Sequence, residues 1–172
     1  METLARVIGE HSFFSGLAPQ YLDLLAGCTK NVRFERGEML LREGDAADWF
    51  YLIREGKVAV QSDAPGRSPV TFQTLGGGEI LGWSWLVPPY RWRFDGRAVE
   101  PVRALALDGA CLRRKCAEDH DLGYELLSRI AQVMAGRLHA TRLQAMEVYT
   151  AWCDTVDGVS VVHQPVPAAR VG

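Results

Sequence analysis

At 172 residues, with 48% hydrophobic and 23% charged side chains, the chain has the size and composition of one globular domain with a filled core. Its formal net charge of -2 offers no general attraction for nucleic acid or anionic membrane, and no run of about 18 apolar residues is present to span a bilayer. Residues 1–6 lack the basic, apolar and small-residue order of a secretory signal, so a cytoplasmic protein without membrane contact is expected.

Helical spacing opens the chain. Leu4, Val7 and Ile8 share a face, Phe13 to Leu17 breaks the pattern, and Pro19 suits the first turn of a second helix with Leu22, Leu24 and Leu25 facing inward. From Asn31 the period falls to two. Val32-Arg33-Phe34, Met39-Leu40-Leu41, Trp49 to Ile53, Val58-Ala59-Val60 and Val70 to Leu75 read as short strands parted by turns containing Gly37, Gly44, Gly56 and Gly66. A last strand is expected from Val99 to Leu107, with Pro101 at an edge or bulge. Short strands at this spacing predict a β-roll or sandwich.

Helical character returns at Leu112. Leu126, Leu127, Ile130, Val133, Met134, Leu138, Thr141, Ala145 and Val148 keep a three-to-four spacing, while Arg129, Arg137, Arg142 and Glu147 lie mostly elsewhere on the wheel. The expected organisation is N-terminal helices over 1–30, a β-roll over 31–108, C-terminal helices over 109–153 and a loosely held tail over 154–172.

Several catalytic chemistries lack their residues. Cys28, Cys111, Cys116 and Cys153 form no CxxC pair, and His11, His120, His139 and His163 show no HxxxH spacing, so buried thiols and no metal site are expected. Gly76-Gly77-Gly78 is not followed by Gly-Lys-Ser/Thr and reads as a turn. The basic triplet Arg113-Arg114-Lys115, followed by Glu118, Asp119 and Asp121, reads as the surface of a helical turn. No nucleophile and base stand in a recognisable pattern, so no catalytic residue is assigned.

Four motifs occur in order: Phe14-Ser15-Gly16-Leu17, Phe34-x-x-Gly37-Glu38-x-Leu40, Arg42-Glu43-Gly44-Asp45, and Phe50-Tyr51-Leu52-Ile53-x-x-Gly56-Lys57-Val58. The chain resembles the cyclic nucleotide-binding domain of the Crp/Fnr superfamily over about residues 10–150. The resemblance implies a mainly β fold with flanking helices. It comprises N-terminal helices, an eight-stranded antiparallel β-roll of jelly-roll type, and a long C-terminal helix that often pairs in dimers. It makes Leu127, Ile130, Met134, Leu138, Thr141, Ala145 and Val148 the candidate dimer stripe.

Members that bind cyclic nucleotide carry a short phosphate-binding cassette. Its glutamate holds the ribose hydroxyl, and an arginine nine residues later pairs with the cyclic phosphate. Here Gly78-Glu79-Ile80-Leu81-Gly82 matches the approach, but Trp83 stands in the glutamate position and Trp92 in the arginine position. Losing both ligand bonds forfeits about 1.5–3 kcal/mol each, roughly a 10²- to 10⁴-fold weakening. A slip of one residue at Pro88-Pro89 would instead turn Arg91 or Arg93 inward, with Ser84 as a weak hydroxyl substitute. The pocket candidates are therefore Gly82, Trp83, Ser84, Trp85, Arg91, Trp92 and Arg93. Trp83, Trp85, Trp92 and Phe94 are read as core filling ahead of an aromatic cage, and Arg91, Arg93 and Arg97 as a solvated strand face.

The expected function is a non-catalytic regulatory or adaptor protein, unable to hold cyclic AMP or cyclic GMP in the usual way and carrying no other cofactor. It would act as a homodimer or on a cytoplasmic enzyme partner, a redox enzyme among the possibilities. A sensor for a cyclic nucleotide or an apolar ligand, signalling through the C-terminal helix, is the alternative. About twenty residues follow Tyr149, so no helix-turn-helix module and no direct DNA binding are expected.

Overall fold

The computed structural model describes residues 3–63, 66 and 68–156, with side chains to residue 152. Two units divide the chain, Met1–Arg129 and Ile130–Gly172. Of the tail expected over 154–172, residues 154–156 continue a helix and the rest lie outside the described residues.

In the first unit, α1 (Leu4–Gly9) starts where the Thr3 hydroxyl accepts the Arg6 N–H, and α2 (Pro19–Ala26) starts with proline in its first turn. A 3-10 turn, Ser12–Phe14, lies between them. Leu25 is buried as expected, whereas Leu24 is 40% exposed; the three leucines span more than the inward stripe of so short a helix.

Eight antiparallel strands follow: β1 (Thr29–Phe34), β2 (Met39–Leu41), β3 (Trp49–Glu55), β4 (Val58–Ser62), β5 (Val70–Leu75), β6 (Ile80–Leu81), β7 (Asp95–Ala98) and β8 (Val102–Asp108). They form two four-stranded sheets, ordered β1-β8-β3-β6 and β2-β7-β4-β5. Pro101 precedes β8 instead of lying within it, because it has no N–H for the ladder. Its carbonyl approaches Gly56, where an added Cβ would meet Pro101 O at 2.1 Å, so only glycine (φ +84°) fits that turn.

Period two sorts the side chains of β3. Tyr51 and Ile53 join Leu40, Leu41, Val58, Val60, Leu81, Val102, Ala104 and Trp92 in a core drawn from both sheets. The alternate residues Phe50 and Leu52 are equally buried, and their aromatic neighbours run from Phe14 to Phe13 to Phe50 to Trp85 with centroids 4.8, 5.5 and 5.8 Å apart.

α3 (Gly109–Glu118) begins at Asp108, whose carboxylate accepts the Cys111 N–H at 2.6 Å. α4 (His120–Val156) follows at once. At its start, Arg129 Nη1 donates to the Phe13 and Ser15 carbonyls at 2.8 and 3.0 Å.

One expectation is corrected. Cys28 and Cys111 are not thiols but a disulfide, with Cα atoms 5.9 Å apart. The Asp108 N–H donates to Cys28 O at 2.8 Å, and this bond brings the start of α3 beside the chain entering β1. Cys116 is a free thiol, partly buried, and burial together with the Asp119 charge pushes its pKa up.

In the second unit, α4 runs on to Val156. Leu138, Leu143, Met146, Val148, Tyr149 and Trp152 are all about half exposed or more. No described helix is long and apolar enough to cross a membrane.

Candidate functional site

The segment between β6 and β7 is built around glycine. After Leu81 the chain turns at Gly82 (φ 89°, ψ 44°) into a 3-10 turn, Trp83–Trp85. It then passes a cis Pro88-Pro89 bond and Tyr90 at φ 56°. Arg91 bridges to Ala46, and the Trp92 N–H and C=O bond Asp45 O and Gly44 N, each at 2.9 Å.

These bonds fix the register. Trp92 is 5% exposed and joins the inter-sheet core, while Arg91 and Arg93 on either side are exposed. The Trp92 benzo ring reaches Gly82: a Cβ there would stand 2.8 Å from Cη2 and 2.9 Å from Cζ3, with Trp49 O at 3.0 Å. Indole thus fills the space beside the 3-10 turn. Arg91 Nη1 donates outward to Gly44 O at 2.7 Å, and Arg97 Nε donates to Gly37 O at 3.1 Å.

The candidate residues do not form one cluster. Trp83 and Phe94 are half-buried; Trp85 is fully buried but packs on Phe50, away from Trp92's group. Trp85 Cβ also leaves no room for a side chain at Gly109, where a Cβ would lie 2.9 Å away. A single cage of four aromatics is therefore absent. Ser84 Oγ and Trp85 Nε1 are buried and have no hydrogen-bond partner among the described residues, at a cost of about 1–3 kcal/mol each.

Sequence reading missed Arg113. It stands on α3, donates from Nη1 to Trp85 O at 2.7 Å, and lies 4.4 Å over the Tyr90 ring. One guanidinium thus ties the end of the 3-10 turn at Trp85 to Tyr90. The basic triplet 113–115 carries no local signal for this, because the partners are separated in sequence. Glu79, the earlier acidic residue, caps its own turn by accepting the Gly76 N–H at 2.7 Å. A surface cleft of about 380 Å³ outside Trp92 is lined by Glu43, Arg91 and Arg93 among others.

Among the described residues, no three histidine, cysteine or carboxylate side chains are grouped to hold a metal ion. Burial pushes the Tyr51 hydroxyl up to about 12, and it donates to Leu40 O at 3.2 Å, a structural role.

Two antiparallel sheets, N-terminal helices and a glycine-led cassette define a cyclic nucleotide-binding β-roll. Residues 31–119 match the family model described as "Cyclic nucleotide-binding domain", and the chain belongs to that family. It is 26% identical over 135 residues to the CRP-like cAMP-activated global transcriptional regulator of Mycobacterium tuberculosis, covering 78% of this chain and 58% of the regulator. The chain thus spans little more than half the length of that relative. A crystal structure from Geobacter metallireducens GS-15 matches with TM-score 0.71 and 29% identity, covering 78% of this chain and 98% of that one. A cyclic nucleotide-binding domain from Methylobacillus flagellatus KT shares the fold with TM-score 0.71 at 23% identity, covering 85% and 82% of the two chains.

Proposed function

We propose that this chain is a non-catalytic regulatory or adaptor domain whose cassette is closed to cyclic AMP and cyclic GMP, and that it acts through the C-terminal helix on a second copy or a partner protein. The observation that carries this reading is Trp92: its indole occupies the space beside Gly82, and the arginines on either side point to solvent. A cyclic phosphate entering there meets an apolar ring where it needs a guanidinium. Displacing a core indole adds a packing cost of about 3–5 kcal/mol. Calorimetric titration of the full chain with cyclic AMP and cyclic GMP tests it. No heat of binding is expected, and micromolar affinity for either nucleotide overturns the proposal.

A second reading, a sensor for a small neutral ligand, is favoured by the orphaned Ser84 Oγ and Trp85 Nε1. Under that reading a ligand with one acceptor and one donor raises the melting temperature, and Ser84→Ala abolishes the rise. Under the first reading Ser84→Ala is neutral or stabilising, because it removes an unpaired hydroxyl.

A further inference from the structure

A second cleft, of about 490 Å³, lies between α1 and the sheet β1-β8-β3, away from the cassette. Three arginines line it: Arg33, Arg54 and Arg103. Arg33 and Arg103 sit directly opposite each other on β1 and β8, an unfavourable cross-strand pairing of like charges. The third arrives by a register shift. β3 pairs Ile53 with Ala104 and Glu55 with Arg103, so Arg54 is the extra residue of a bulge.

The cations are only lightly neutralised. Arg33 pairs with Glu35 at 2.9 Å and Arg103 with Glu55 at 3.3 Å, but all four side chains are 58–68% exposed. Exposed pairs of this kind contribute about 0–1 kcal/mol and yield readily to a stronger anion. Arg54 is partly buried and makes no ion pair among the described residues. Asn31 adds an amide to the lining, while Leu4 and Val7 of α1 supply an apolar wall.

We propose that this cleft binds a small soluble phosphate monoester, with its oxyanion on the three guanidinium groups and its organic part against Leu4 and Val7. Guanidinium forks match the geometry of phosphate oxygens, and three of them answer a dianion. The apolar wall gives an ester an advantage over bare phosphate. The site is separate from the cassette, so it stands or falls independently of nucleotide binding there.

The probe is phenyl phosphate, titrated calorimetrically into the full chain. Saturable one-to-one binding is expected, weakened about tenfold or more by Arg54→Gln and by Arg33→Gln. Arg93→Gln, in the other cleft, leaves it unchanged. Melting temperatures within about 2 °C of the parent identify variants that remain folded. Absence of saturable binding overturns the proposal, as does binding sensitive to Arg93→Gln but not to Arg54→Gln. A parallel arm uses vesicles containing phosphatidic acid. Association with vesicles without phenyl phosphate binding overturns the assignment to a soluble ligand.

Discussion

The Trp92 indole lies against Gly82 so closely that a single added methyl group at residue 82 would stand 2.8 Å from its ring. Each residue therefore defines what the other can be. Gly82→Ala also forces alanine into φ +89°, and that strain costs about 1–3 kcal/mol before any clash. Trp92→Ala empties a core position and costs about 3–5 kcal/mol. In chemical denaturation the double variant is expected to be less destabilised than the sum of the two by about 0.5–3 kcal/mol. The coupling is partial because Trp49 O, at 3.0 Å, remains in place. Strict additivity would place the indole elsewhere.

Trp92 taken together with Trp83 tests the cassette reading directly. Trp83→Glu with Trp92→Arg puts back the two side chains that resemblance assigns to nucleotide contact. The double variant is expected to gain measurable affinity for cyclic AMP in calorimetry where the parent has none. A folded double variant that neither binds nucleotide nor opens a cavity would mean that residues 83 and 92 are not the replaced positions.

Arg113 makes a hydrogen bond to Trp85 O and stacks over Tyr90. Arg113→Met keeps the stem and removes the charge. A destabilisation of about 1–2 kcal/mol is expected from denaturation midpoints, with about 0.5–1 kcal/mol of coupling to Tyr90→Leu. An unchanged midpoint would show that the 83–90 segment holds its shape without the guanidinium.

Much of the roll was legible because glycine and period two are local signals. Gly37, Gly44, Gly56 and Gly78 announce their turns, and each adopts positive φ. Sequence leaves one residue of register open at Pro88-Pro89; the nonlocal bonds of Trp92 to Asp45 and Gly44, with the indole 5% exposed, are what turn it inward. Nonlocal facts were not legible. Cys28 and Cys111 are 83 residues apart with no motif, and only the closing of β1 onto β8 brings them together. Arg113 and the cleft of Arg33, Arg54 and Arg103 depend likewise on which strands neighbour which, and on a bulge that no composition rule marks.

The Cys28–Cys111 crosslink closes a long loop, so its removal is expected to cost about 2–5 kcal/mol, chiefly by freeing the unfolded chain. Reduction with a dithiol should lower the melting temperature of the parent and leave Cys28→Ser with Cys111→Ser unmoved. Alkylation of the native chain without reductant should label Cys116 in preference to either. Labelling of Cys28 and Cys111 before reduction would show them to be thiols.

The burial of His11 is expected to give the fold a pH dependence, with stability lost toward acid. His11 is 6% exposed, its Nε2–H donates to Ile53 O at 3.0 Å, and Nδ1 accepts the Phe13 N–H at 3.3 Å. Burial holds its pKa below 6.5, and the Arg54 charge lowers it further against the raising effect of the Ile53 bond. The unfolded chain therefore takes up a proton near pH 6.5 while the folded one does not. Its contribution is complete above pH 6.5 and is lost as pH falls from there through the lower folded value. His11→Gln should flatten this part of the stability profile, whose slope is at most about 1.4 kcal/mol per pH unit. An identical slope in parent and variant would assign the acid sensitivity to other groups.

The C-terminal helix carries the output in the proposed function. Met134, Leu138, Thr141, Ala145, Val148 and Trp152 recur at alternating steps of four and three, the seam of a coiled coil. Leu138, Val148 and Trp152 are 64%, 71% and 58% exposed, more apolar surface than a solvent-facing helix needs. Light scattering should give the mass of a dimer for the parent chain. Leu138→Glu with Val148→Glu should shift it to monomer while the melting of the roll is unchanged, since two carboxylates facing their copies cannot be desolvated cheaply. Leu143→Glu, off the four-three series, should leave the dimer intact. A parent chain that is monomeric at all concentrations would turn the exposed seam toward a different partner protein.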